Sequence, residues 1–276
     1  EARVHRSRAR ECSVTETNAS RDPTSSRYVV GIDLGTTNSA VAYVDSTDDP
    51  WQIRLFLVPQ LVAPGQIDSR ATLPSFHYQA TNAEAGRALQ LPFQQHQGDY
   101  AVGVYARDQG TSTPGRQIAS AKSWLCHTGV DRTADILPWQ GSPDVQRLSP
   151  VEVSARYLRH LRDAWNAAFP ASPLAEQQVV ITLPASFDEV ARELTVRAAA
   201  EADLPRVVLI EEPQAAFYAW VDRHADRWQS LVSPGQTILV CDIGGGTEEF
   251  TLIRAGREQS AISDGTVYQA DADQSH

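Results

Sequence analysis

The chain has 276 residues, 42% hydrophobic and 21% charged, with a formal net charge of −10. That length can bury a sizeable core as one large domain or two small ones. The acidic balance argues against a general nucleic-acid binder, which needs a basic face to neutralise phosphates. The three cysteines, Cys12, Cys126 and Cys241, are odd in number and show no CxxC spacing. They argue against a disulfide framework or zinc site and fit a reducing cytoplasm. No apolar run approaches the roughly 18 residues of a membrane span.

In chain order, residues 1–27 carry six arginines, many Ser and Thr and almost no apolar residues. Without an apolar stretch this is no secretory signal, and Glu1, Glu11, Glu16 and Asp22 speak against a transit peptide. A disordered N-terminal tail is expected. Tyr28 to Leu34 (Y-V-V-G-I-D-L) and Ser39 to Val44 (S-A-V-A-Y-V) are strand-like and nearly adjacent, which predicts a hairpin around Gly35-Thr36-Thr37-Asn38. Ile53 to Val58 is a further candidate strand, and Leu73 to Tyr78 leads into another. Residues 79–117 are mixed and polar and assign no element; a short helix is expected over Gln117 to Cys126.

Ser149-Pro150-Val151-Glu152 is a capping box with proline at the first helical position. Tyr157, Leu158, Leu161, Trp165 and Ala168 then mark one helix face, ended by Pro170 and Pro173. Val179 to Leu183 reads as a buried strand stopped by Pro184. A helix follows from Asp188 with Ala191, Leu194, Ala198 and Ala202 inward, and then a strand at Val207 to Ile210. Glu211-Glu212-Pro213 opens a helix expected to run to about Trp228. This alternation is an α/β pattern. Thr237 to Ile253 is again strand, turn, strand, and its C-D-I-G-G-G-T repeats the I-D-L-G-T-T of the opening hairpin, which suggests a duplicated architecture.

Glycine-rich turns after strands let backbone N–H groups approach an anion without interference from Cβ. Neither turn is a G-x-x-x-x-G-K-[ST] phosphate loop or a G-x-G-x-x-G dinucleotide turn, and both lead into a strand where a dinucleotide fold needs a helix. What remains is a pair of hairpin tips, each with an aspartate near the end of its first strand. Here a resemblance becomes specific. Gly31 to Ser39 (G-I-D-L-G-T-T-N-S) and Asp242 to Thr247 (D-I-G-G-G-T) resemble the two phosphate loops of the heat-shock protein 70 (DnaK-like) chaperone family. Between them, V-I-T-L-P-A-S-F at Val180 to Phe187, I-E-E-P-Q-A-A at Ile210 to Ala216 and A-K-S-W-L at Ala121 to Leu125 resemble three more family segments in family order.

The resemblance implies an actin-like ATPase fold of ribonuclease-H-like lobes with ATP or ADP and Mg²⁺ in the cleft. It divides the chain into a tail (1–27), lobe I (28–230), the first hairpin of lobe II (231–254) and a polar tail (255–276). It implies that Asp33 and Asp242 hold hydrated Mg²⁺, with Glu249 beside them, as hard oxygen ligands suit that ion. Gly35, Thr36, Thr37, Asn38, Gly244, Gly245, Gly246 and Thr247 would bind phosphate. Lys122 would neutralise the terminal phosphate, Glu212 would orient the attacking water, and Pro184 and Arg192 would relay nucleotide state. Unfolded peptides, a J-domain co-chaperone and a nucleotide exchange factor are the implied partners, with no nucleic acid or membrane. Rival readings on related grounds are a sugar or acetate kinase of the same superfold, or a non-catalytic nucleotide-sensing or actin-like assembly protein.

Two departures matter. Glu248 and Glu211 stand where the family has uncharged residues, and extra carboxylates near phosphate predict weaker nucleotide affinity. The segment after Ile253 is too short for the rest of lobe II, so the resemblance implies a truncated product or fragment whose last hairpin exposes apolar strand edges.

Overall fold

A computed structural model describes residues 26–94, 96–245 and 248–256. Its centre is a six-stranded sheet. β1 (Tyr28–Leu34) lies between β2 (Asn38–Asp45), antiparallel, and β10 (Gln178–Leu183), parallel. β11 (Val207–Glu211) extends the parallel side. β3 (Arg54–Phe56) and the two-residue β6 (Leu73–Pro74) pair with β2.

Alternation along β1 points Tyr28, Val30, Ile32 and Leu34 into the core, and along β10 it does the same for Val179, Ile181 and Leu183. The opposite face therefore receives Gly31, Asp33, Val180 and Thr182. The inward face is covered by α3 (Pro150–Ala168) and α4 (Glu189–Glu201), whose Leu158, Leu161, Trp165, Ala191 and Ala198 are buried in the same core. Each fully buried Ile, Leu or Phe side chain of this kind contributes about 1.5–3 kcal/mol.

α3 begins as expected: the Ser149 side chain accepts from the Glu152 N–H at 3.1 Å. The Glu152 carboxylate pairs forward with Arg156 at 2.8 Å. Ala168 is exposed, contrary to its expected place on the inner face. Phe169, just beyond the helix, packs there instead, its ring 4.4 Å from Trp165 and 5.3 Å from Tyr28. Asp188 caps α4 by accepting from the Ala191 N–H at 2.8 Å.

A smaller layer grows out after β3. It holds the hairpin β4 (Val58–Ala63) and β5 (Gln66–Arg70), and a three-stranded sheet of β8 (Tyr100–Val102), β7 (Phe76–Gln79) and β9 (Gln117–Ala119). α1 (Val104–Ser112) packs on it. The helix expected from Gln117 is thus strand β9 followed by α2 (Ala121–Leu125), because Ser120 between them adopts a left-handed conformation at φ 55°. Similarly, the strand expected at Ile53 to Val58 is divided between β3 and β4, with Leu57 between them outside both.

α5 (Glu212–Arg223) ends earlier than expected, and a separate short α6 (Trp228–Leu231) precedes the last hairpin, β12 (Thr237–Ile243) with β13 (Glu248–Arg254). That hairpin pairs with no other strand among the described residues, and Leu239, Ile243, Phe250 and Leu252 on it are exposed. No described helix is long and apolar enough to cross a membrane.

Candidate functional site

The two glycine turns carry the same register. Asp33 stands opposite Ala40 in β1–β2, and Asp242 stands opposite Glu249 in β12–β13, each aspartate one residue before its strand ends. In the first turn Gly35 is obligatory, since a Cβ there would lie 2.1 Å from the Asn38 carbonyl oxygen. Ser75 holds this turn from behind: its hydroxyl donates to the Gly35 carbonyl at 2.7 Å, and its N–H donates to the Thr37 carbonyl at 2.9 Å. The Ser75 carbonyl in turn accepts from the Tyr157 hydroxyl of α3 at 3.0 Å. The turn is therefore fixed to the core helix.

The turns face one another closely. A Cβ on Gly245 would sit 2.5 Å from the Thr37 hydroxyl oxygen, so any larger residue must displace the Thr37 side chain. Between them opens a cleft of about 460 Å³. Gly35, Thr36, Thr37 and Asn38 line one side, and Asp242, Gly244 and Gly245 the other. Asp33, Lys122 and Glu212 also line it, so the expected residues converge from β1, α2, α5, β12 and both turns. Gly246 and Thr247 lie outside the described residues.

Lys122 is buried on α2 and forms an ion pair with Glu212, which opens α5. The Lys122 ammonium also stands 5.9 Å from the centre of the Phe187 ring. Burial pushes the Glu212 carboxyl up from its ordinary value; Lys122 opposes the shift, and Asp33 and Asp242 add to it. Asp33 accepts from the Thr182 hydroxyl at 3.0 Å. Thr182 lies in the V-I-T-L-P-A-S-F segment, and its one sequence signal is a polar side chain between Ile181 and Leu183 in a largely apolar strand. Ser75 carries no such signal, because its partners are 36 to 82 residues away.

Three expected residues stand outside the cleft lining. The Glu249 carboxylate accepts from the backbone N–H of Ser186 at 2.9 Å and of Ala185 at 3.3 Å. Pro184 leads into that turn, its carbonyl accepting from the Phe187 N–H at 3.2 Å. Arg192 donates to the Phe187 carbonyl at 3.2 Å and to the Glu211 carboxylate at 2.7 Å. The charge of Glu211, expected to disfavour phosphate, is thus matched by a cation. Among the described residues, no three His, Cys, Asp or Glu side chains cluster tightly enough to hold a metal by themselves.

A family model described as "Hsp70 protein" matches residues 81–264. The chain belongs to the Hsp70 family. Among curated relatives it is 32% identical over 261 residues to the chaperone protein HscA homolog of Aeromonas hydrophila, and 35% identical over 257 residues to chaperone protein HscA of Cronobacter sakazakii. Each match covers 88% of this chain and 35% of the relative, so the chain spans about a third of the length of the curated relatives it matches. The family expected from the motifs is the one found, and with it the actin-like ATPase fold.

Proposed function

We propose that this chain is the ATP-binding nucleotide domain of an Hsp70-type chaperone, with the phosphates of ATP or ADP held between the two glycine turns. The observation that carries this reading is the meeting of Gly35–Asn38, Gly244–Gly245, Lys122 and Glu212 around one cleft. Backbone N–H groups of glycine turns and a buried ammonium are the donors a phosphate chain requires.

The donor set also suits Mg²⁺. Asp33 and Asp242 come from opposite hairpins and offer hard oxygens, while the absence of a third close ligand among the described residues leaves positions for water and phosphate. When bound, the ion supplies charge neutralisation on the phosphates. Lys122 exchanges Glu212 for the terminal phosphate. Glu212, released from Lys122, accepts a hydrogen bond from the attacking water and orients it. Pro184 and Arg192 pass the occupancy of the cleft to the turn they anchor. Unfolded peptides, a J-domain co-chaperone and a nucleotide exchange factor, met in the cytoplasm, complete this reading.

Calorimetric titration with Mg-ATP, Mg-ADP and each nucleotide without metal tests it. Binding of one nucleotide per chain, tighter with Mg²⁺, is the expected result; no binding of either nucleotide overturns it. Because Arg192 already neutralises Glu211, Glu248→Thr should raise affinity while Glu211→Asn leaves it nearly unchanged.

A further inference from the structure

The hairpin register poses a problem at Glu249. It stands directly opposite Asp242 on β12, and like charges opposed on one face of a sheet repel. In the first hairpin the equivalent station opposite Asp33 is the neutral Ala40. Glu249 meets its charge outside the hairpin, in the two backbone N–H donors of Ala185 and Ser186. Hydrogen bonds to an ionised acceptor are stronger than neutral ones. The receiving turn is itself held on its far side, where Arg192 joins the Phe187 carbonyl to Glu211.

We infer that Glu249 is a positioning residue that clamps β13 to the Ala185–Ser186 turn and so fixes the second glycine turn against the first. It acts through the backbone of lobe I and outside the metal shell. The inference rests on the reading of the cleft as a phosphate site. The close fit of Gly245 against Thr37 makes the clamp matter, since a small rotation of the hairpin changes the gap between the turns. Side-chain length is decisive. An aspartate at 249 has a reach shorter by about one C–C bond, ~1.5 Å, and ends short of both amides. A water-mediated metal ligand tolerates that change; a clamp does not.

The test compares the chain with Glu249→Gln and Glu249→Asp by calorimetric titration with ATP, once with Mg²⁺ and once with a chelator. Amide hydrogen exchange at Ala185 and Ser186 is followed in the nucleotide-free protein. Both variants are expected to lose about tenfold in affinity, equally with and without Mg²⁺, as the loss of charge-assisted hydrogen bonds implies. Exchange at Ser186 should be slow in the parent chain and at least tenfold faster in both variants. A loss confined to the Mg²⁺ titration, parent-like binding by Glu249→Asp, or fast exchange at Ser186 in the parent chain would overturn the clamp. If the parent chain binds no nucleotide, the proposed function fails, while the exchange at Ser186 still decides whether the clamp exists.

Discussion

The two glycine hairpins share register and sequence order but not surroundings. β1 is flanked on both sides within a six-stranded sheet, and its inward residues sit against α3 and α4. Its turn is backed by Ser75 and, through Ser75, by Tyr157. β12 and β13 pair only with each other among the described residues, with Leu239, Ile243, Phe250 and Leu252 exposed. An isolated two-stranded hairpin is marginal in water. The second jaw is therefore held by packing on α5 and by the Glu249 hydrogen bonds, whereas the first is part of the core. Similar turns have been placed on one core-embedded and one lightly held support.

The strongest way to break this contrast is truncation within each hairpin. Ile32→Ala, at a fully buried position in β1, should destabilise by about 3–4 kcal/mol in urea unfolding. Leu239→Ala, at a half-exposed position in β12, should cost under ~1 kcal/mol. Equal costs would mean that both hairpins are core elements.

Acid sharpens the contrast next. Burial holds His160 of α3 down to about 4, against the hydrogen bond its ring makes to the Pro59 carbonyl, and burial likewise holds His77 of β7 well below its ordinary value. Both folded values lie below the unfolded one, so the unfolded chain binds more protons as pH falls. Stability is full above about pH 6.5 and declines toward pH 4, by about 3 kcal/mol for His160 alone. Urea midpoints at pH 7 and 5, with amide exchange read separately in β1–β2 and β12–β13, check this. The support of the first hairpin should loosen while exchange in the second changes least.

The glycines themselves come third. Gly35→Ala meets a backbone carbonyl and should cost about 2 kcal/mol in stability along with nucleotide affinity. Gly245→Ala meets a threonine side chain that can rotate, so melting should barely move while affinity falls. Smallest is Glu211→Asn, which removes a partly exposed pair with Arg192 and should shift stability by less than ~1 kcal/mol in thermal melts.

Much of this was legible wherever local signals decide structure. Both hairpins, the Ser149 and Asp188 caps and the inner face of α4 follow from period and capping chemistry. Residues 79–117 were illegible for a physical reason. The cap of α1 is Gly103, which offers no capping side chain, and the Val104 N–H donates to the Gln60 side chain, 44 residues away. β8 and β9 are three residues each, too short to show a period. In the site, motif order placed Asp33, Lys122, Glu212 and Asp242 around one cleft. The family resemblance puts Glu249 beside them, as the carboxylate that follows the second glycine turn. Its reach to Ala185 and Ser186 is a contact across more than 60 residues that no local pattern encodes.

The pairing of Lys122 with Glu212 also bears on selectivity. A buried ammonium that already holds its own carboxylate is a poor trap for a stray chloride or sulfate, because any newcomer must leave Glu212 without its partner in a poorly hydrated place. Only a guest bringing several negative charges, with a cation to quiet the abandoned carboxylates, offsets that loss. On the proposed reading, the cleft would screen its visitors by valence before shape is consulted.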